Sequence, residues 1–215
     1  RLSGDEFLIM YKGATLDMAT ACAKRLCAGL AEPFMLGAGS VFVGGTVGVL
    51  LVTERGLAPA EALRRADLAL YRAKQTSKGG YCLFEPEMNQ AQQVRRALEA
   101  DLRDAIVHEK LDMAYQPQVN SRGQMIGVEA LVRWRHPERG DISPGYFVPI
   151  AEECGLIHEL GMLTLRRAFT DSRRWDKLKV AVNVSATQLR MTGFVDDLAD
   201  LVREMNVDAA RFELE

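Results

Sequence analysis

Glu129-Ala130-Leu131-Val132-Arg133-Trp134 is the stretch on which the fold turns. It closes an apolar run that starts at Met125, and it carries a carboxylate in its middle. A buried strand does not tolerate a carboxylate or a carboxamide unless something satisfies it. Upstream, Met113-Ala114-Tyr115-Gln116-Pro117 reads as another strand, with a turn at Asn120-Ser121-Arg122-Gly123 between the two. Together they predict a β-hairpin. Downstream, Lys179-Val180-Ala181-Val182-Asn183-Val184 and residues 211–215 repeat the pattern of a short apolar run bearing an oxygen-carrying side chain. One such residue per strand predicts a shared site at one end of a sheet.

Helical patterns separate these strands. Residues 94–108 place Leu98, Leu102 and Ile106 on one stripe among charged neighbours. Pro144 leads toward a helix around Ala151-Glu152-Glu153 that ends near Gly155. Longer helices are expected over 159–175 and 196–205. Strand-helix-strand alternation after a hairpin implies a parallel sheet with helices outside it.

The first part of the chain reads differently. Phe7-Leu8-Ile9-Met10-Tyr11 is a strand candidate after a Gly4-Asp5 turn. Residues 17–30 have helical spacing, with Pro33 just beyond. Residues 40–43 and 46–52 look like strand interrupted by a bulge at Gly44-Gly45. Pro59 opens a helix that Ser77-Lys78-Gly79-Gly80 ends, and Tyr81-Cys82-Leu83-Phe84 follows as a closing strand. The order is β-α-β-β-α-β, an α+β arrangement. A polar, Gln-rich stretch then predicts a linker, taken as residues 87–94.

Composition sets bounds. The chain has 215 residues, 48% hydrophobic and 26% charged, enough for two small domains with real cores. A formal net charge of -2 gives no bulk attraction to a nucleic-acid polymer. Cys22, Cys27, Cys82 and Cys154 form no C-x-x-C pair, which argues for a reducing compartment and against a zinc site. No signal peptide or membrane-length apolar run is present, so a cytoplasmic location is expected; an anchor in a missing N-terminal region stays compatible. A motif that begins within three residues of Arg1 predicts truncation at that end.

That motif is Arg1-Leu2-Ser3-Gly4-Asp5-Glu6-Phe7. Gly4 permits a tight turn, and two carboxylates at a turn suit Mg²⁺ beside a nucleotide. Solvated acids on a plain hairpin are the bland alternative. The motif resembles the R-x-G-G-D-E-F signature of diguanylate cyclases, the GGDEF family. Ala66-Asp67-Leu68-Ala69-Leu70-Tyr71-Arg72-Ala73-Lys74 and Thr46-Val47-Gly48-Val49 are similar to further motifs of that family. The resemblance implies a partial, nucleotidyl-cyclase-like α+β domain over residues 1–86. It implies Asp5 and Glu6 as catalytic metal ligands that assist attack of a ribose 3′-hydroxyl on the α-phosphate of GTP. Gly4, Lys74 and Lys78 would contact substrate. Ser3 replaces the first glycine, and Ser77-Lys78-Gly79 replaces the family's G-R-N, keeping charge but losing a bidentate fork.

A second resemblance covers residues 95–215. Tyr115-Gln116-Pro117, Glu129-Ala130-Leu131-Val132-Arg133-Trp134, Arg135-His136-Pro137, Phe147-Val148-Pro149-Ile150-Ala151-Glu152, Gly155-Leu156-Ile157 and Val182-Asn183-Val184-Ser185 follow the order and spacing of EAL-domain phosphodiesterases. That family is a modified TIM-like α/β barrel that begins with an antiparallel hairpin. It hydrolyses cyclic di-GMP to linear pGpG with Mg²⁺ or Mn²⁺. The resemblance implies Glu129, Asn183 and Glu215 as metal ligands, Glu129 among the catalytic groups, and Gln116 and Arg133 as dinucleotide contacts. Hard divalent cations want such oxygens. His136 and Cys154 receive no chemistry, and Trp134 and Trp175 read as packing anchors.

The expectation is a tandem GGDEF–EAL protein of cyclic di-GMP turnover, cut at both ends, with cyclic di-GMP and GTP as ligands and a homodimer in the parent. The family's adjacent aspartates, lysine and further glutamate would lie past Glu215. The stretch alone is therefore expected to be an open, aggregation-prone half barrel without appreciable phosphodiesterase activity. A receptor that binds GTP or cyclic di-GMP without turnover is the alternative.

Overall fold

The computed structural model describes residues 1–37, 39–175 and 178–215. The chain divides into two compact units, Arg1–Val94 and Arg95–Glu215.

The first unit begins with a tight turn in which Glu6 N–H donates to the Ser3 carbonyl at 2.7 Å. Gly4 takes φ +45° there, a conformation that favours glycine. Helix α1 (Leu16–Ala31) is capped by Thr15, whose hydroxyl accepts from Met18 N–H at 3.3 Å. Strands β1 (Phe34–Leu36) and β2 (Gly39–Val41) form an antiparallel hairpin. Strand β3 (Val47–Val49), helix α2 (Pro59–Thr76) and strand β4 (Tyr81–Leu83) follow, with β3 and β4 paired in parallel.

Two expectations fail here. Phe7 to Tyr11 is not a strand, and its side chains are exposed, Met10 at 87%. A strand exists only as part of a ladder, and among the described residues nothing pairs with this one. Gly44-Gly45 is not a bulge either. Strand β2 stops at Val41 and β3 starts at Val47, each with a different partner.

Gly48 explains how β3 meets α2. A Cβ there would lie 2.3 Å from the Ala66 carbonyl oxygen and 2.4 Å from the Leu70 nitrogen. These are backbone atoms and cannot swing aside. Gly48→Ala is expected to push β3 off the helix and cost about 1–3 kcal/mol, read from a denaturant melt. A wild-type midpoint would show that the contact yields freely.

Helix α3 (Glu87–Val107) carries the chain across the division between the units. Residues 87–94, expected as a linker, are its first turns, and buried Met88 packs with Leu68 and Ala69. The second unit adds strands β5 (Asp112–Val119), β6 (Met125–His136) and β7 (Gly140–Ile142), then helices α4 (Pro144–Glu153) and α5 (Ile157–Asp171). Strand β8 (Lys179–Val182), helices α6 (Ala186–Leu189) and α7 (Phe194–Met205) and strand β9 (Phe212–Leu214) complete it. The sheet order is β5-β6-β8-β9, with β7 also on β6. The first pair is antiparallel, and β6, β8 and β9 run parallel. This is the hairpin-started, TIM-like α/β architecture expected.

The α5 helix stops at Asp171, short of residue 175. The Ser172 hydroxyl donates to the Phe169 carbonyl at 2.7 Å and tightens the end into a 3₁₀ turn. The Arg211 guanidinium then collects the carbonyls of Ser172, Trp175 and Leu178.

Tyr115 ties the hairpin to α5. Its hydroxyl donates to Asp171 Oδ2 at 2.7 Å, and its ring meets Trp175 edge-on at 4.8 Å. Burial, then the bond to Asp171, push the phenol above its ordinary range. An acid whose folded pKa is raised stabilises fully below its unfolded pKa, about 10 for tyrosine, and loses that contribution as pH climbs toward the folded value. Tyr115→Phe is expected to cost about 1 kcal/mol at neutral pH and to flatten the alkaline loss of stability. Equally steep alkaline melts in both proteins would contradict this.

Candidate functional site

Burial decides which face of the sheet carries chemistry. Val128, Ala130, Val180 and Val182 are buried against Leu165, Ala168, Phe169, Phe194 and Leu201. Side chains alternate along a strand, so Glu129 and Asn183 must face the other way. The register places Gln116 beside Glu129 on β5, and Glu129 beside Ala181 on β8.

Asn183 Nδ2 donates to Glu129 Oε1 at 2.7 Å, joining residues from two strands. Glu215 lies beside Asn183 on the third strand. Val184 N–H donates to the Glu215 carbonyl at 2.8 Å, and Glu215 N–H donates to the Val182 carbonyl at 3.1 Å. These two bonds extend the β8–β9 ladder past its assigned ends. Arg133 stands further along β6 on the face of Glu129, with Nη1 donating to the Val132 carbonyl at 3.0 Å. Glu129 and Arg133 are half-buried, while Gln116, Asn183 and Glu215 are exposed. Five residues separated in sequence thus share one sheet face.

The donor set is two carboxylates and one carboxamide, with a further amide and a guanidinium beside them. Such hard oxygens suit Mg²⁺ or Mn²⁺ and not a soft metal. Among the described residues, no group of three or more His, Cys, Asp or Glu side chains is gathered closely enough to hold an ion. The third donor here is an asparagine.

Sequence reasoning missed several members of this neighbourhood. Glu213 pairs with Ala181 on β9 and so shares the row of Glu129. Its place two residues before Glu215 was the available signal. Ser185 and Glu152, hydrogen-bonded to each other, flank the end of β8. No single motif predicts a contact between residues so distant in the chain. His136 is a structural residue. Its Nδ1 accepts from the N–H groups of Glu138 and Arg139 at 3.1 and 3.2 Å, which leaves Nε2 to carry the proton toward Asp101 at 3.1 Å.

The residues expected to act in the first unit are less assembled. Glu6 accepts the Ser3 hydroxyl at 3.3 Å. Among the described residues, Asp5, Lys74 and Lys78 make no side-chain hydrogen bond or ion pair. Lys74 sits in the last turn of α2, and Lys78 in the turn that follows. Among the described residues no helix is long and apolar enough to cross a membrane.

Known proteins resemble this arrangement. The family model for the EAL domain matches residues 99–215, and that for the diguanylate cyclase GGDEF domain matches residues 1–80. The bifunctional diguanylate cyclase/cyclic di-GMP phosphodiesterase MucR of Pseudomonas aeruginosa is 35% identical over all of this chain and 32% of its own length. The cyclic di-GMP phosphodiesterase PdeR of Escherichia coli is 37% identical over all of this chain and 33% of its own. The chain thus spans about a third of the length of the curated relatives it matches. Among solved structures, the PaMucR phosphodiesterase in complex with c-di-GMP aligns at 39% identity and a TM-score of 0.53. That alignment covers 55% of this chain and 50% of that one. The EAL enzyme Bd1971 bound to cAMP and cyclic di-GMP aligns at 24% identity and a TM-score of 0.54, over 72% of this chain and 42% of its own, a likeness of fold alone.

Proposed function

The chain belongs to the EAL domain family, and on that premise we propose that the whole protein hydrolyses cyclic di-GMP to linear pGpG. The 2.7 Å contact between Asn183 and Glu129 carries this reading, because it draws together two side chains from different strands, each of which carries a ligating oxygen. Glu129, Asn183 and Glu215 are the residues that would hold Mg²⁺ or Mn²⁺. A bound divalent cation supplies an acidified water and offsets charge on the phosphoryl oxygens. Arg133 offers a planar fork of donors to a phosphate or a guanine edge. Gln116 fixes the dinucleotide from the neighbouring strand. The reaction belongs in the cytoplasm, where the cysteines stay reduced. A homodimer through either domain is part of the same reading.

The GGDEF half makes cyclic di-GMP from GTP through Asp5 and Glu6, with Gly4, Lys74 and Lys78 at the nucleotide, or it binds GTP without turnover. The second option gains support from Ser3 and from Ser77-Lys78-Gly79, where the family pattern is altered.

Incubating the whole protein with cyclic di-GMP and Mg²⁺ or Mn²⁺, then separating the nucleotides, tests the proposal. Linear pGpG is the expected product. Cyclic di-GMP bound but uncleaved would favour the receptor reading. Neither binding nor cleavage would end both.

A further inference from the structure

Asn183 is the one neutral member of the donor set, so its oxygen must be aimed by the backbone that carries it. The segment just past it is held from two helices. Ser185, two residues on, caps α6: its hydroxyl accepts from Thr187 N–H at 3.0 Å, and its own N–H donates to Gln188 Oε1 at 3.1 Å. The same hydroxyl donates to Glu152 Oε1 on α4. Gln188 is 2% exposed and presses on α5. A Cβ on Gly161 would lie 1.8 Å from Gln188 Nε2, so the amide fills the space glycine leaves.

The capping box serves α6 itself, but the bond to Glu152 reaches past that helix to α4. It restrains the exit of β8, where Val184 N–H also holds the Glu215 carbonyl. Three restraints therefore converge within two residues of Asn183. Its carboxamide donates through Nδ2 to Glu129, which leaves the lone pairs of Oδ1 to face a cation.

We propose that Ser185, clamped by Glu152 and keyed through Gln188 to Gly161, is a positioning residue that aims Asn183 at the divalent-cation site. The inference rests on the metal-site reading above. Groups that orient metal ligands from behind change metal affinity by about 10- to 100-fold when removed.

Mn²⁺ binding to the whole protein, followed by water-proton relaxation with Asp5→Asn and Glu6→Gln in every variant to silence the first unit, is the first measurement. Wild type in that background should bind more Mn²⁺ than Glu129→Gln, by the one site Glu129 serves. Ser185→Ala is then expected to weaken Mn²⁺ about 10-fold. Ser185→Thr, which keeps the hydroxyl, should restore affinity. Leu201→Ala, a core change away from the clamp, should leave the affinity of folded molecules intact. Wild-type affinity in Ser185→Ala, or an equal loss in Leu201→Ala, overturns the inference.

Failure of wild type to bind Mn²⁺ would count against the metal site itself. Amide hydrogen exchange then decides the clamp separately. Ser185→Ala should speed exchange at Val184 and Glu215 at least about 10-fold more than at Val180, because local opening frees only the ladder's end. An equal speed-up at Val180, or none at Val184 and Glu215, overturns the clamp whatever the metal does.

Discussion

Glu129→Gln is expected to abolish divalent-cation binding at this site while leaving the fold intact. The glutamine carbonyl can still accept from Asn183 Nδ2, which donates to Glu129 at 2.7 Å in the native chain. The shape of the contact survives and only the negative charge is lost. Mg²⁺ and Mn²⁺ depend on that charge, since a neutral oxygen does not offset the dehydration they resist. The fall in Mn²⁺ affinity should exceed about 100-fold, the upper end for a group acting from behind a ligand. In the whole protein, pGpG formation should fall with it at every cation concentration tested. The melt of the second unit should not move to lower temperature, because a half-buried carboxylate is being exchanged for an amide that keeps its partner. Trp134 and Trp175 both lie in that unit, so tryptophan fluorescence reports its unfolding alone. An unchanged Mn²⁺ titration would remove Glu129 from the site.

The hairpin and the parallel sheet were legible in the sequence because burial forces periodicity. Val128 and Ala130 had to be covered, which left Glu129 on the opposite face, and the same holds for Val180, Val182 and Asn183. The turn was legible for a local reason. Asn120 Oδ1 accepts from the Arg122 and Gln124 amides at 2.9 and 3.0 Å, the self-bonding that makes asparagine a turn former. What stayed hidden depended on partners that composition does not reveal. Phe7-Leu8-Ile9-Met10-Tyr11 is apolar and holds three strand formers, yet among the described residues it joins no ladder. Strands β1 and β7 have three residues each, too few for a period to show. The stretch from Glu87 reads as a linker because it is polar and Gln-rich, which masks its helix propensity. Glu, Met, Gln and Ala are all good helix formers, and Met88 supplies the buried contact. That Glu129 and Asn183 meet on one sheet face was legible from strand alternation, whereas the Glu152–Ser185 clamp needed the fold to bring α4 and the end of β8 together.

Phe169→Ala should give the opposite outcome to Glu129→Gln: a large loss of stability with no direct change at the proposed cation site. Phe169 is 1% exposed, and its ring meets Phe212 at 4.4 Å, inclined by 62°. Phe212 opens β9, and Leu165, Ala168, Val180, Val182 and Phe194 share the same cluster. Truncating a buried phenylalanine removes transfer energy and leaves a cavity, about 3–5 kcal/mol together. A domain holds only about 5–15 kcal/mol in all, so the tryptophan-reported midpoint should drop sharply in urea. The slope of that transition should stay the same if the native state keeps its compactness. Yet the ring lies on the helix-covered face, and Glu129 meets Asn183 on the other. Mn²⁺ affinity per folded molecule should therefore hold at wild-type level at low urea. A loss below about 1 kcal/mol would mean that the cluster collapses around the gap without penalty. A loss of affinity as large as that of Glu129→Gln would mean that the two faces are not separable, and that β9 carries Glu215 only when the aromatic pair beneath it is intact.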